Sequence, residues 1–434
     1  MPTGKIAHSP KKNSLTTRIL LGMLLGVIVG FTIRFLPLSP ELNNLLVTDV
    51  LKTGGNIFIN ILKMLVVPVV LVSLICGSAA LDVRKIGRIG GKTLILYLFT
   101  TAIAIALAVF FANLFAIGKS VNIPMMTEFK VSSVPSIKEI ISNLIPSNPF
   151  LAFSKGEMLQ IIVFAILFGI AISLAGKPGE RIADFFRDMN EVVMRFIILM
   201  LQLSPYGIFC LVAVLCAQIG FDLIAQLLSY FFMVLFVLFV HMFVSYSILL
   251  KLLARLNPLI FFKKFYAAML FAFSTSSSNA SIPVVLETVE QKLGVKNSIA
   301  SFIIPLGATI NMDGTAIMQG VATVFIANVY HVNIGLTGYL MVILMATLAS
   351  IGTAGVPSVG LITLTMVLKQ VNIPVEGVAL IIGVDRLLDM ARTVVNVSGD
   401  AIVSCIVAKS EDSLDEEVFN NPDPPEVSKS ITET

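Results

Sequence analysis

Long apolar runs recur along this chain, and short groups of Lys and Arg fall between them. A helix needs about 20 predominantly apolar residues to cross a hydrocarbon core, and several stretches are long enough; Leu223 to Leu250 is the plainest. The polar, basic segment Met1 to Arg18 leads into an apolar run from Ile19 to Ile33. A signal peptide has that outline too, but no A-x-A cleavage pattern follows, so the run reads as a first membrane helix. Basic residues gather at Lys5, Lys11, Lys12 and Arg18, at Arg84, Lys85, Arg88 and Lys92, at Lys177, Arg181, Arg187 and Arg195, and at Lys251, Arg255, Lys263 and Lys264. Read as cytoplasmic loops, these require an even number of crossings between them. Two spans before Arg84, two before Lys177 and two before Lys251 satisfy this and place the N-terminus in the cytoplasm. The polar stretch from Lys119 to Asn148 then lies outside. The acidic, proline-containing tail from Ser410 to Thr434 reads as disordered and cytoplasmic.

Composition agrees with a bilayer setting. The 434 residues are 56% hydrophobic and 13% charged, with mean hydropathy +0.94, against about 25% charged in soluble chains. The net charge of +4 is small and no basic cluster carries interleaved aromatics, which argues against nucleic acid as a partner. Cys76, Cys210, Cys216 and Cys405 lie in apolar segments without CxxC spacing and read as helix residues.

After Lys264 the apolar segments carry polar residues in their middles. Phe273 to Pro283 (FSTSSSNASIP) interrupts one and Ser350 to Gly360 (SIGTAGVPSVG) another. Each is followed by a segment with charges: Asn311 to Thr315 (NMDGT), and Asp385 to Asp400. Pro283 to Asn311 and Pro357 to Asp385 are both separations of 28 positions. Paired, interrupted hydrophobic segments at corresponding places point to a transporter site built from broken helices.

On a helix turning about 100° per residue, Asp385, Asp389, Arg392, Thr393, Asn396 and Asp400 fall within an arc of roughly 100°. Each Asp or Arg at the bilayer centre costs about 2.5 to 3.5 kcal/mol, so the stripe needs a compensating role. A structural ion-pair network is one. Three carboxylates against one arginine, however, leave capacity for cations. The guanidinium of Arg392 suits a carboxylate, and Asp389, one turn earlier, suits an ammonium. Together they fit an acidic amino acid. Backbone N–H groups of the two small-residue tips would bind its other carboxylate. Asn311, Asp313, Asn396 and Asp400 offer hard oxygen ligands for cations, backbone unwound at Gly314 would add carbonyls, and Tyr97, Thr100 and Thr101 add hydroxyls.

These motifs, in this order, resemble the dicarboxylate/amino acid:cation symporter family, which includes the glutamate and aspartate transporters; the similarity covers Thr16 to Lys409. The resemblance implies an all-α polytopic membrane protein with eight transmembrane helices and two re-entrant helical hairpins. It implies a trimerising scaffold (16–81 and 119–220) and a mobile transport domain (82–118 and 221–409) that slides like an elevator, between a basic N-terminus (1–15) and the tail (410–434). Carried over by position, Arg392 holds the side-chain carboxylate and Asp389 with Thr393 the amino group. Asn396, Thr315, Ser277, Ser278, Val356 and Gly360 complete the substrate pocket. One sodium falls to Gly307, Asn311, Asn396 and Asp400, and a second to Thr309, Ser350, Ile351 and Thr353. A third falls to Tyr97, Thr100, Thr101, Asn311 and Asp313. The second hairpin acts as the gate and Asp385 as a support behind the pocket. Ser276 departs from relatives with an arginine in the first hairpin, which leaves open how charge near Asp389 is balanced. Dicarboxylate-carrying relatives lack the Asp389 carboxylate and neutral amino-acid relatives lack the Arg392 arginine. Both are present here, which favours aspartate or glutamate over succinate, serine or cystine.

Other classes fit less well. A hydrolase needs a nucleophile with a base, and His8, His241 and His331 lack acid-base company in the sequence; His241 reads as a packed core histidine. Gly90 to Thr93 (GGKT) resembles the end of a phosphate loop, but Ile86 stands where its first glycine belongs. A channel would also use acidic residues, but Arg and Asp together on one face suit a closed pocket. The sodium-type ligands are all present, which favours sodium as the coupling ion, with proton coupling the alternative because carboxylates can serve either ion; aspartate and glutamate both fit.

Overall fold

The computed structural model describes residues 15–37, 39–80, 87–119, 145–218, 221–351, 355 and 359–421. Among them there is no strand, only an isolated bridge between Val295 and Leu414. The first helix, α1, spans Leu15–Phe35, matching the first apolar run. A short turn and a π stretch lead into α2 (Thr53–Ala80), and α3 is Gly87–Leu114. Asn148 caps α4 (Pro149–Lys155), and α5 is Met158–Leu174. Next come α6 (Lys177–Leu201) and α7 (Ser204–Gln218), set at 47° to one another. The plainest apolar run forms α8 (Phe221–Val240), which continues unbroken through a π turn at His241–Ser245 to Ala254.

Four helices among the described residues are long and apolar enough to cross a bilayer, five if the bent pair α6 and α7 is one span. Phe232, Phe239 and Leu252 on α8 and its continuation are 60 to 71% exposed. A row of large exposed side chains like this is stable against lipid rather than water.

The second half is built of shorter pieces. Asn257 caps α9 (Pro258–Thr275), which ends at Ser276 with φ +51°. Ser277 immediately caps α10 (Ser278–Gln291), so the chain reverses within two residues at the serine-rich tip. Helix α11 (Asn297–Ile310) meets α12 (Asp313–Val329) across two non-helical residues, Asn311 and Met312. Then follow α13 (Gly335–Ile351), α14 (Val359–Gln370) and the continuous α15 (Val378–Ser410). Helices α1, α2, α5, α6 and α7 pack on one another, while α3 packs with α12 and α13, and α15 is surrounded by α8, α9, α11 and α12.

Several expectations are corrected. The basic groups are not simply loops: Arg88 and Lys92 lie in the first turns of α3, Lys263 and Lys264 lie on α9, and Lys177, Arg181, Arg187 and Arg195 lie on α6. Helix α6 is amphipathic, so its basic residues occupy one face while Val193, Ile197 and Leu201 are buried on the other. The break between α11 and α12 precedes Gly314, which sits inside α12. A Cβ there would overlap the Arg392 backbone, so the glycine allows α12 and α15 to approach closely.

Residues 410–421 of the tail are ordered. Asp415 caps a short helix, α16 (Glu416–Asn420), whose Phe419 is completely buried. Lys264 Nζ donates to the carbonyls of Lys292 at 3.0 Å and Val418 at 2.5 Å. Glu411 meets Lys92 and, at 3.1 Å, Arg88. One buried aromatic and compensating cations fix a segment whose composition alone suggests disorder. Residues 422–434, and most of the polar stretch 119–148, lie outside the described residues.

Candidate functional site

All six polar positions of the α15 stripe are buried, from Arg392 at 0% to Asp389 at 7% exposure. Arg392 Nη2 donates to Asp389 Oδ1 at 2.7 Å. Its Nη1 lies 2.8 Å from Asp385 Oδ1, an ion pair not aligned as a directed hydrogen bond. Its Nε has no partner. Arg386 Nη1 stands 3.5 Å from Asp389 Oδ2, so a cation on α15 itself supplies charge beside Asp389 where Ser276 cannot. Thr393 Oγ1 donates back to the Asp389 carbonyl at 2.8 Å.

Helices α12 and α14 come directly against this group, and the two small-residue segments meet each other. A Cβ at Gly360 would meet Thr315 Cγ2 at 2.9 Å and Arg392 Nη1 at 3.4 Å, which places α14 directly against the arginine. Ser277 Oγ donates to the Gly355 carbonyl at 2.7 Å, and Asn279 N donates to it at 3.2 Å. The two small-residue segments therefore touch. Ser278 is buried in the first turn of α10. Val356 lies outside the described residues.

A second cluster surrounds the α11–α12 break. Asn311 Nδ2 donates to Asp400 Oδ1 at 2.9 Å, and Gly314 N donates to Asn396 Oδ1 at 2.8 Å. Asn311 Oδ1 is buried with no donor. Turning the amide round would set that oxygen against a carboxylate, so the orientation is fixed by charge and an acceptor is left over. A Cβ on Gly307 would overlap Asp400 Oδ1 and Tyr97 Oη, showing how tightly the three converge. Surplus buried oxygens suit a hard cation, whose preferred ligands are carboxylates and carbonyls.

The remaining hydroxyls divide. Thr101 Oγ1 donates to Asp313 Oδ1 at 2.5 Å, joining α3 to α12. Tyr97 Oη bonds to the Ile303 carbonyl at 3.1 Å and Thr100 Oγ1 to the Tyr97 carbonyl at 3.1 Å. Thr309 and Ser350 bond to carbonyls of their own helices, Leu306 at 2.8 Å and Thr347 at 2.9 Å. Ser350 Oγ also lies 3.5 Å from the Ile310 carbonyl. Thr353 and the side chain of Ile351 lie outside the described residues.

Sequence reasoning missed His241 and Tyr246. His241 is fully buried with Nε2 3.2 Å from Asp313 Oδ2, and Tyr246 Oη donates to the same oxygen at 2.8 Å. His241 thus has a carboxylate partner, 72 positions away in sequence. A polar residue in the plainest apolar run was the one available signal.

The sodium:dicarboxylate symporter family matches residues 15–410. The chain is 35% identical over 420 residues to the proton/glutamate-aspartate symporter of Escherichia coli (strain K12), covering 93% of this chain and 94% of that protein. It is 33% identical over 417 residues to the proton/sodium-glutamate symport protein of Geobacillus stearothermophilus, covering 94% and 97%. The C4-dicarboxylate transport protein of Bacillus subtilis (strain 168) is also 33% identical, over 414 residues, covering 93% and 95%. With a match along nearly its whole length, this chain belongs to the sodium:dicarboxylate symporter family.

Proposed function

We propose that this protein is a secondary active symporter that takes up L-aspartate or L-glutamate together with sodium ions. The observation that carries the substrate class is Arg392: a guanidinium at 0% exposure, with an unpartnered Nε, beside Asp389 and against Gly360 in the first turn of α14. A buried charged donor without an acceptor favours a ligand carboxylate, and the adjacent Asp389 favours an ammonium on the same molecule. Thr315, Thr393, Asn396, Ser277, Ser278, Val356 and Gly360 complete the pocket in this reading. Dicarboxylates gain nothing from Asp389.

Sodium is the coupling ion in this proposal. Asn311, Asp400, Asn396 and the Gly307 carbonyl form one site, and the orphaned Asn311 Oδ1 beside the Asp400 carboxylate supports it, because a hard cation takes such oxygens as ligands. Thr309, Ser350, Ile351 and Thr353 form a second, and Tyr97, Thr100, Thr101, Asn311 and Asp313 a third. Proton coupling is the second reading, favoured by the names of two of the relatives above.

In the same reading the chain has eight transmembrane helices and two re-entrant hairpins, α9–α10 and α13–α14. The set α1, α2 and α5–α7 is a scaffold, assembled as a homotrimer. The set α3 and α8–α15 is the transport domain that slides against it, with the second hairpin as gate. The protein resides in the inner or plasma membrane with both termini cytoplasmic. The deciding experiment is uptake of radiolabelled L-aspartate into proteoliposomes under an inward sodium gradient and, separately, an inward proton gradient. Accumulation only with sodium, blocked by glutamate and not by succinate, serine or cystine, is expected. Proton-driven accumulation would overturn the ion assignment, and absence of aspartate uptake under both gradients would overturn the substrate.

A further inference from the structure

Asp313 opens α12 with a carboxylate that is 0% exposed, yet three donors converge on it. Thr101 Oγ1 donates to Oδ1 at 2.5 Å; Tyr246 Oη and His241 Nε2 reach Oδ2 at 2.8 and 3.2 Å. A carboxylate oxygen accepts only, so the His241 proton on this side is on Nε2. His241 and Tyr246 are five positions apart on one continuous helix. In an α-helix five positions turn about 140° away from alignment, and the two side chains would diverge.

Here the segment His241–Ser245 is a π turn, closed by Tyr246 N donating to the His241 carbonyl. That wider turn brings the two rings together, with centroids 4.5 Å apart in an edge-to-face arrangement. Such π turns inside α-helices are rare and gather at functional sites. An independent feature makes room for the arrangement. A Cβ on Gly399 of α15 would overlap the Tyr246 hydroxyl, so the tyrosine reaches Asp313 only past a glycine.

We infer that the π turn at His241–Ser245 is a positioning device for the coupling cation: it brings His241 and Tyr246 onto Oδ2 of Asp313 and leaves Oδ1, beside Thr101, as the carboxylate's cation-facing oxygen. This rests on the proposed role of Asp313 as a cation ligand. Oδ2, with two in-plane lone pairs, is saturated by its two donors. Oδ1 accepts one bond from Thr101 and keeps one lone pair, while the Thr101 oxygen keeps its own lone pairs for the same ion. Asp313 therefore binds one-sidedly, and the carboxylate is held in that rotation before the ion arrives. His241 and Tyr246 touch neither solute nor ion; they act through Asp313.

The test is sodium binding to the purified, substrate-free protein, read as the rise in thermal midpoint on titrating sodium chloride against choline chloride at constant ionic strength. Half-saturating sodium is compared with that for aspartate uptake in proteoliposomes. Tyr246→Phe and His241→Leu are expected to raise half-saturating sodium about tenfold in both measurements, with the aspartate KM at saturating sodium moving far less. His241→Gln, whose amide N–H stands where Nε2–H stood, is expected to recover most of the loss. Wild-type sodium dependence in Tyr246→Phe and His241→Leu would overturn the inference, and so would a His241→Gln variant no better than leucine. Asp313→Asn separates the two levels: unchanged sodium dependence there would remove the ligand role beneath the inference, whereas a loss there with intact clamp variants would overturn the clamp alone.

Discussion

Asp389→Ser should convert this pocket from one that requires an amino group to one that ignores it. Asp389 is 7% exposed, and its Oδ1 is bonded to Arg392 Nη2 at 2.7 Å. Serine removes the acceptor proposed for the substrate ammonium, while Asp385, 2.8 Å from Nη1, still holds the guanidinium. Loss of one hydrogen bond to a charged group costs about 1.5 to 3 kcal/mol; at 1.4 kcal/mol per decade this is about a 12- to 150-fold rise in the aspartate KM. Succinate, which has no ammonium, loses nothing and gains relief from a buried negative charge. The assay is uptake of labelled aspartate and of labelled succinate into proteoliposomes at saturating sodium, each competed by the other. An aspartate KM within threefold of wild type in a correctly folded variant would refute the reasoning, as would succinate uptake no better than wild type.

Arg392→Cys should abolish aspartate uptake and lower the thermal midpoint as well, because it strands two buried carboxylates, a loss of about 3–5 kcal/mol; aspartate uptake at wild-type affinity would sink the pocket assignment. Asp400→Asn keeps the shape facing Asn311 but removes the charge, and half-saturating sodium should rise about tenfold or more, ~1.4 kcal/mol, so an unchanged value would remove Asp400 as a ligand. Lys63 and Glu376 pair at 2.9 Å between α2 and the turn before α15; a Lys63→Cys/Glu376→Cys pair, crosslinked, should arrest uptake reversibly, and full activity after complete crosslinking would contradict sliding of one set of helices past the other. At the tail, the hydrogen bond from Lys92, opposed by partial desolvation and aided by the charges of Arg88 and Lys92, holds Glu411 below the ordinary carboxylate value of 4.5. A lowered folded pKa contributes stability above the unfolded value that is lost as pH falls through the folded one. Glu411→Gln should therefore melt earlier than wild type at pH 7, with the gap closing in acid and in high salt; a gap that persists in acid would refute the ion-pair account.

What the sequence by itself determined here was whatever lies within one helix or follows from the cost of placing charge in lipid. The first apolar run became α1, and the stripe from Asp385 to Asp400 was legible because residues on one helix share a face by the 3.6-residue period alone. The broken second half was legible because Ser, Gly and Asn are expensive inside an apolar run. Only the tertiary structure decided which groups meet across helices. Nothing in the continuation of α8 announces that His241 and Tyr246 face Asp313, since that needs a π turn whose local sequence, His-Met-Phe-Val-Ser, carries no Gly or Pro. Gly314 looked like a source of unwinding and is a point of close helix approach, a distinction that depends on the Arg392 backbone lying against it. The first part of the acidic tail, residues 410–421, looked disordered because composition counts hydrophobes, whereas the folded chain buries Phe419 and offers Lys92, Arg88 and Lys264 to receive its charges and carbonyls. Periodicity is a property of one segment; pairing is a property of two, and their separation in sequence leaves no local trace.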